Sequence, residues 1–169
     1  MNMMTNSNLP ATTTSAQRTL VASESSDLVT MTVAGQVFGI PVLQVQDVLK
    51  PQRITRIPLA PPEIAGSLNL RGRIVTVIDV RTRLGLPAFA EDQKRMSIVV
   101  EHKGELYSLM VDQIGEVLNL PNASFEHNPS TLDKRWREIA QGIYRLEQTL
   151  LVVLDVARLL NFMTAEDSV

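Results

Sequence analysis

The stretch Glu63-Ile64-Ala65-Gly66-Ser67-Leu68-Asn69-Leu70-Arg71-Gly72-Arg73-Ile74-Val75-Thr76-Val77-Ile78-Asp79-Val80 decides the fold. Apolar runs at Leu68–Leu70 and Ile74–Val80 flank Arg71-Gly72-Arg73, which predicts a β-hairpin with its tip at Gly72. Asp79 closes the second run and is placed to cap a short helix, Val80 to Leu84, that stops at Gly85. The frame is written a second time. Glu138-Ile139-Ala140 repeats Glu63-Ile64-Ala65, Gly142 repeats Gly66, and Val153-Leu154-Asp155-Val156 repeats Val77-Ile78-Asp79-Val80. At the tip, however, Asn69-Leu70-Arg71-Gly72 gives way to Arg145-Leu146-Glu147-Gln148. A kept hydrophobic frame with an altered polar tip marks a surface used for recognition.

The duplication extends upstream. Gly35-Gln36-Val37-Phe38-Gly39-Ile40 with Val45-Gln46-Asp47-Val48-Leu49 returns as Gly104-Glu105-Leu106-Tyr107-Ser108-Leu109 with Ile114-Gly115-Glu116-Val117-Leu118. Two units follow, residues 28–86 and 97–162, joined by a polar spacer from Pro87 to Arg95. Each copy of about 60 residues lies near the lower limit for independent folding, so the copies are expected to share an interface. Short strands with turn signals every 8 to 12 residues predict a mainly β chain built as two five-stranded barrels with short connecting helices. Val42–Leu49 reads as one strand, on which Val45 and Asp47 fall on the same side at period two. Lys50 to Pro62 holds four prolines and reads as a loop with one helical turn before Gly66. In the longer middle of the second copy, Leu132, Trp136, Ile139 and Ala140 share a helical face behind a Ser130 cap. Residues 1–26 carry almost no large apolar groups and read as a disordered tail, with a second tail at 163–169.

Composition narrows the function. The chain has 169 residues, a net charge of −2, 44% hydrophobic residues and 4% aromatics, so its cores are built from Val, Ile and Leu. It has no cysteine, which excludes disulfides, thiolate metal sites and a cysteine nucleophile. No secretory signal or spanning segment is read from the sequence, and a cytoplasmic location is expected. The two histidines, His102 and His127, sit at turns, and Asp79 and Asp155 are explained by helix capping. No catalytic residue, cofactor site or metal site is found, so an enzyme is not expected. Lys50, Arg53, Arg56, Arg71, Arg73, Arg81 and Arg83 face only Glu63 and Asp79 between positions 50 and 83. A small-barrel nucleic-acid binder using these cations is the alternative function, although aromatics for base stacking are missing among them.

The segments Gly39-Ile40, Val45-Gln46-Asp47-Val48, Ile54-Thr55-Arg56-Ile57-Pro58, Ile64–Gly72 and Ile74–Arg81 resemble the CheW-like family of bacterial chemotaxis coupling proteins. The resemblance runs from Leu28 to Phe162, and its most specific part is Asn-Leu-Arg-Gly followed by an apolar strand ending in Asp. It implies two SH3-like five-stranded barrels and no catalysis. It also implies an adaptor that joins the cytoplasmic tips of chemoreceptors to the regulatory domain of the histidine kinase CheA, in arrays at the inner membrane. By position, Val45, Asp47 and Arg71 match receptor-contacting residues, and Gly66, with Asn69 and Gly72, matches a region that affects coupling to kinase or receptor. Asp47 departs from the glutamate common in the family, and its reach is one methylene shorter.

Overall fold

The structure, a computed structural model, describes residues 24–88 and 94–163. The expected tails lie largely outside this range, as does the middle of the spacer. At the tail's boundary the expectation is corrected: Ser25 and Ser26 belong to strand β1, paired with Pro121 and Leu120.

Among the described residues ten strands form two five-stranded sheets. Strands β1 (Ser25–Val33), β2 (Gln36–Pro41), β3 (Val45–Leu49), β4 (Ile64–Leu70) and β5 (Arg73–Asp79) come from the first copy. Strands β6 (Met96–His102), β7 (Glu105–Val111), β8 (Gln113–Pro121), β9 (Ala140–Arg145) and β10 (Leu150–Leu154) come from the second. The strand orders are β8-β1-β2-β10-β9 and β3-β6-β7-β5-β4. Each sheet therefore takes the first two strands of one copy and the last three of the other. The boundaries 28–86 and 97–162 mark the repeats in sequence but not the sheets, and the two copies are interlocked.

The connections explain the exchange. A tight hairpin requires residues that tolerate positive φ, and Ala34-Gly35, Arg71-Gly72 and Lys103-Gly104 supply them, with φ of 50 and 81, 53 and 85, and 51 and 79°. Between β2 and β3 the chain instead runs through Pro41 and a 3-10 turn, Val42–Gln44. Between β7 and β8 there is only Asp112. Neither connection can reverse the strand, so the chain passes into the other sheet.

The ends of each sheet are joined through the segment that follows its β3-type strand. Thr55 and Ser67 exchange two backbone hydrogen bonds of 2.8 and 2.7 Å, and Glu126 and Ile143 exchange two of 2.9 Å. Because β3 and β4 stand at opposite ends of their sheet, as do β8 and β9 of theirs, these bridges round both sheets into five-stranded rings. The inner strands are thus largely buried on both faces. On β10, Val152 and Leu154 enter the core shared by the two sheets, while Leu151 and Val153 enter a cluster with Leu28 and Tyr144. On β5, Ile78 enters the shared core, while Val75 and Val77 meet Leu68 and Met110. Burial on both faces is why these strands read as unbroken apolar runs rather than as alternating ones.

Among the described residues three short α-helices complete the fold: α1 (Val80–Arg83), α2 (Lys134–Ile139) and α3 (Val156–Leu159). Asp79 and Asp155 cap α1 and α3 as expected, accepting from the amides of Thr82 and Arg158. The cap of α2 is Asp133 rather than Ser130, and no helical turn precedes Gly66. Trp136 of α2 sets its ring edge-on to Phe38 at 5.4 Å and donates to the Leu84 carbonyl at 3.3 Å.

Candidate partner-binding surface

The β4–β5 hairpin is the best-defined projection. Leu70 pairs with Arg73, leaving Arg71-Gly72 as a two-residue loop. The Asn69 side-chain oxygen accepts from the Gly72 amide at 2.9 Å and fixes the turn. Adding a Cβ at Gly72 would meet nothing within 4 Å, so glycine is used there for its φ of +85° and not for space. Arg71 stands out from this rigid tip with 82% of its side chain exposed. Its guanidinium donates to an oxygen of Asp47 at 3.3 Å, and the other Asp47 oxygen accepts from the Val48 amide at 2.8 Å.

Asp47 and Arg71 thus lie side by side, as the resemblance implies for two residues of one surface. Val45 does not share their side. A bulge between Val45 and Asp47 pairs them with Val100 and Val99, which point to opposite faces of β6. Val45 consequently packs on the shared core, while Leu49, in step with Asp47, packs on the Leu68 cluster. Val48 on the same strand, Ile74 on the hairpin and Leu43 in the turn before β3 are exposed apolar groups.

Gly66 has a structural reason to be glycine. A Cβ there, at a φ of +151°, would collide with the Thr55 carbonyl and with Ile54, the segment that closes the ring. Gly142 occupies the same place against Phe125 and Glu126 in the other ring.

Two of the cations between positions 50 and 83, Arg81 and Arg83, belong to the framework. Arg81 makes a two-pronged contact with Asp112, Nε at 2.9 Å and Nη2 at 2.7 Å, and the pair is only 17% and 14% exposed. Asp112 also accepts from the Ala34 amide at 2.8 Å. Burial pushes the Asp112 carboxyl up, but the Arg81 hydrogen bonds, the Ala34 amide and the nearby positive charges outweigh it and hold the group below its ordinary value. Arg83 donates to the carbonyls of Leu159 at 2.7 Å and Arg158 at 3.1 Å, and lies 5.4 Å from the centre of the Phe162 ring. Burial lowers its pKa, partly offset by Glu63 and Glu138. These roles escaped the sequence because their partners are remote along the chain; the single residue between two strands, Asp112, was the available signal.

Among the described residues no cluster of His, Asp and Glu could hold a metal ion, and no helix is long and apolar enough to cross a membrane. The family comparison meets this geometry directly: a model of the CheW-like domain matches residues 27–163. The chain belongs to the CheW-like family. This CheW-like chain is 28% identical over 142 residues to the chemotaxis protein CheW of Bacillus subtilis, covering 84% of this chain and 91% of that one. It is 28% identical over 120 residues to the protein PilI of Pseudomonas aeruginosa, covering 71% and 67%. Among solved structures it is similar to the scaffolding protein TtCheW from Thermoanaerobacter tengcongensis, with a TM-score of 0.69, 30% identity, and coverage of 77% and 88%.

Proposed function

We propose that this protein is a non-catalytic chemotaxis adaptor that couples chemoreceptor cytoplasmic tips to the regulatory domain of the histidine kinase CheA. The observation that carries the reading is Arg71, held out from a rigid hairpin beside Asp47 within a CheW-like domain spanning residues 27–163. A planar guanidinium on a preset turn offers two parallel donors to a carboxylate of a receptor helix. Val48 and Leu43 add exposed apolar contact, and Val45 supports the strand from beneath. Asn69 and Gly72 set the turn, and Gly66 holds the closing segment against β4. Neither cofactor nor metal is required by this role, and recruitment to arrays at the inner membrane follows through the receptors. Two interlocked rings offer two separate surfaces, so one chain can hold a receptor and a kinase together. The nucleic-acid reading loses support because Arg81 and Arg83 are committed to internal contacts.

Sedimentation of purified protein with receptor-containing membranes tests the proposal. Wild-type protein is expected in the pellet and Arg71→Glu in the supernatant. Equal sedimentation of both would remove Arg71 from the binding surface.

A further inference from the structure

The repeat provides an internal comparison of the two rings. Leu28 pairs with Pro41 and Ser97 with Met110, each pair at the same distance from its hairpin loop, Ala34-Gly35 or Lys103-Gly104. In the ring that holds Met110, the opening next to this pair, about 360 Å³, is lined by the charged side chains of Arg56, Asp79 and Arg95. Arg95 enters it, with Nη1 3.8 Å from the Met110 sulfur and 3.3 Å from an Asp79 oxygen. In the other ring the corresponding residues are Pro41 and Ser26. A pocket of about 220 Å³ opens there, floored by Leu28, Tyr144 and Val153 and walled by Pro41 and Phe125.

We propose that this pocket is a binding site for a small neutral aromatic molecule carrying one polar group, of the size of phenol or indole. The floor is apolar and no charged side chain lines the pocket, so an ion would lose its hydration without gaining a partner. Phe125 and Tyr144 meet at 5.4 Å between centroids with their planes tilted by 59°. A third ring can continue this tilted aromatic arrangement, which an aliphatic group of equal size cannot. Volume agrees, since an apolar cavity of about 150 Å³ is enough to hold benzene. At the rim, Ser26, Asn122 and Gln141 provide donors and acceptors for one polar substituent. The Ser26 hydroxyl donates to the Asn122 side-chain oxygen at 2.6 Å, which orients the rim before any ligand arrives. A solute this small has few atoms with which to gain affinity, so binding in the millimolar to high micromolar range is expected.

The test is a titration of the isotope-labelled full chain with indole, followed by the methyl signals of Leu28 and Val153 and the ring signals of Phe125 and Tyr144. Saturating shifts confined to these residues are expected, with cyclohexanol at least several-fold weaker. Pro41→Met, which installs the larger residue of the other ring, should abolish the shifts while leaving the remaining spectrum in place. Ser26→Arg approaches the pocket from the rim and should weaken binding independently if Pro41→Met disturbs β2. Shifts that grow without saturation, equal binding of cyclohexanol, or indole binding unchanged in both variants would overturn the proposal. Much tighter binding of a blocked tyrosine or tryptophan peptide than of indole would also overturn it, by assigning the pocket to a partner's side chain.

Discussion

Arg71 and Asp47 meet at 3.3 Å although the hairpin of one and the strand of the other stand at opposite ends of a five-stranded sheet. The contact depends on the rounding of that sheet, which the Thr55–Ser67 bridge completes. Exposed ion pairs of this kind contribute about 0–1 kcal/mol to folding. The pair is therefore better suited to presenting a guanidinium than to holding the fold.

Arg71→Glu is accordingly expected to leave the melting temperature within roughly 2 °C of wild type. A charge reversal at the centre of an interface can cost about 2 kcal/mol or more in binding. A binding titration against a receptor cytoplasmic fragment should therefore show affinity weakened by roughly 30-fold or more. An unfolded variant would assign Arg71 to the framework.

Gly66→Ala and Gly72→Ala separate space from turn geometry. At Gly66 the added methyl meets a backbone carbonyl that cannot move without opening the ring, so a loss of about 2–3 kcal/mol is expected. At Gly72 the methyl enters open space and only the positive φ is penalised, by about 1 kcal/mol. Urea denaturation of the two variants measures the order. Similar losses at both sites would contradict the closing role of Gly66.

Asp112 links stability to pH. Its folded-state pKa is held below the ordinary value of 3.8, so its contribution is fully present above that value and is lost as pH falls through the folded pKa. Asp112→Asn should thus be less stable than wild type at neutral pH, by about 3 kcal/mol, because Arg81 loses its two-pronged carboxylate contact in a largely buried site. The gap should narrow as pH drops below about 4. Thermal melts across an acid series check this, and a constant gap down to pH 2 would refute the assignment.

What the sequence made legible was local. The Arg71-Gly72 turn, the caps at Asp79 and Asp155 and the apolar runs of β5 and β10 each follow from neighbours a few residues apart. The exchange of strands was hidden because a repeat in sequence says nothing about which copy completes which sheet. That choice is made at Pro41-Val42-Leu43-Gln44 and at Asp112, where the missing turn residues were readable but their consequence was not. The same limit separated Val45 from Asp47: a bulge in β3 alters the period of two and is fixed by the pairing with β6. The resemblance set Asp47 and Arg71 on one surface, whereas their direct contact depends on closure of the ring.

In the proposed role one chain holds receptor and kinase together. Sedimentation of receptor-bearing membranes with purified CheA, with and without this protein, measures that role through the kinase in the pellet. Wild-type protein is expected to raise the pelleted kinase several-fold, in proportion to its own amount in the pellet, and Arg71→Glu is not. Kinase pelleting that is unchanged by the wild-type protein, while the protein itself remains in the supernatant, would rule out the bridging role.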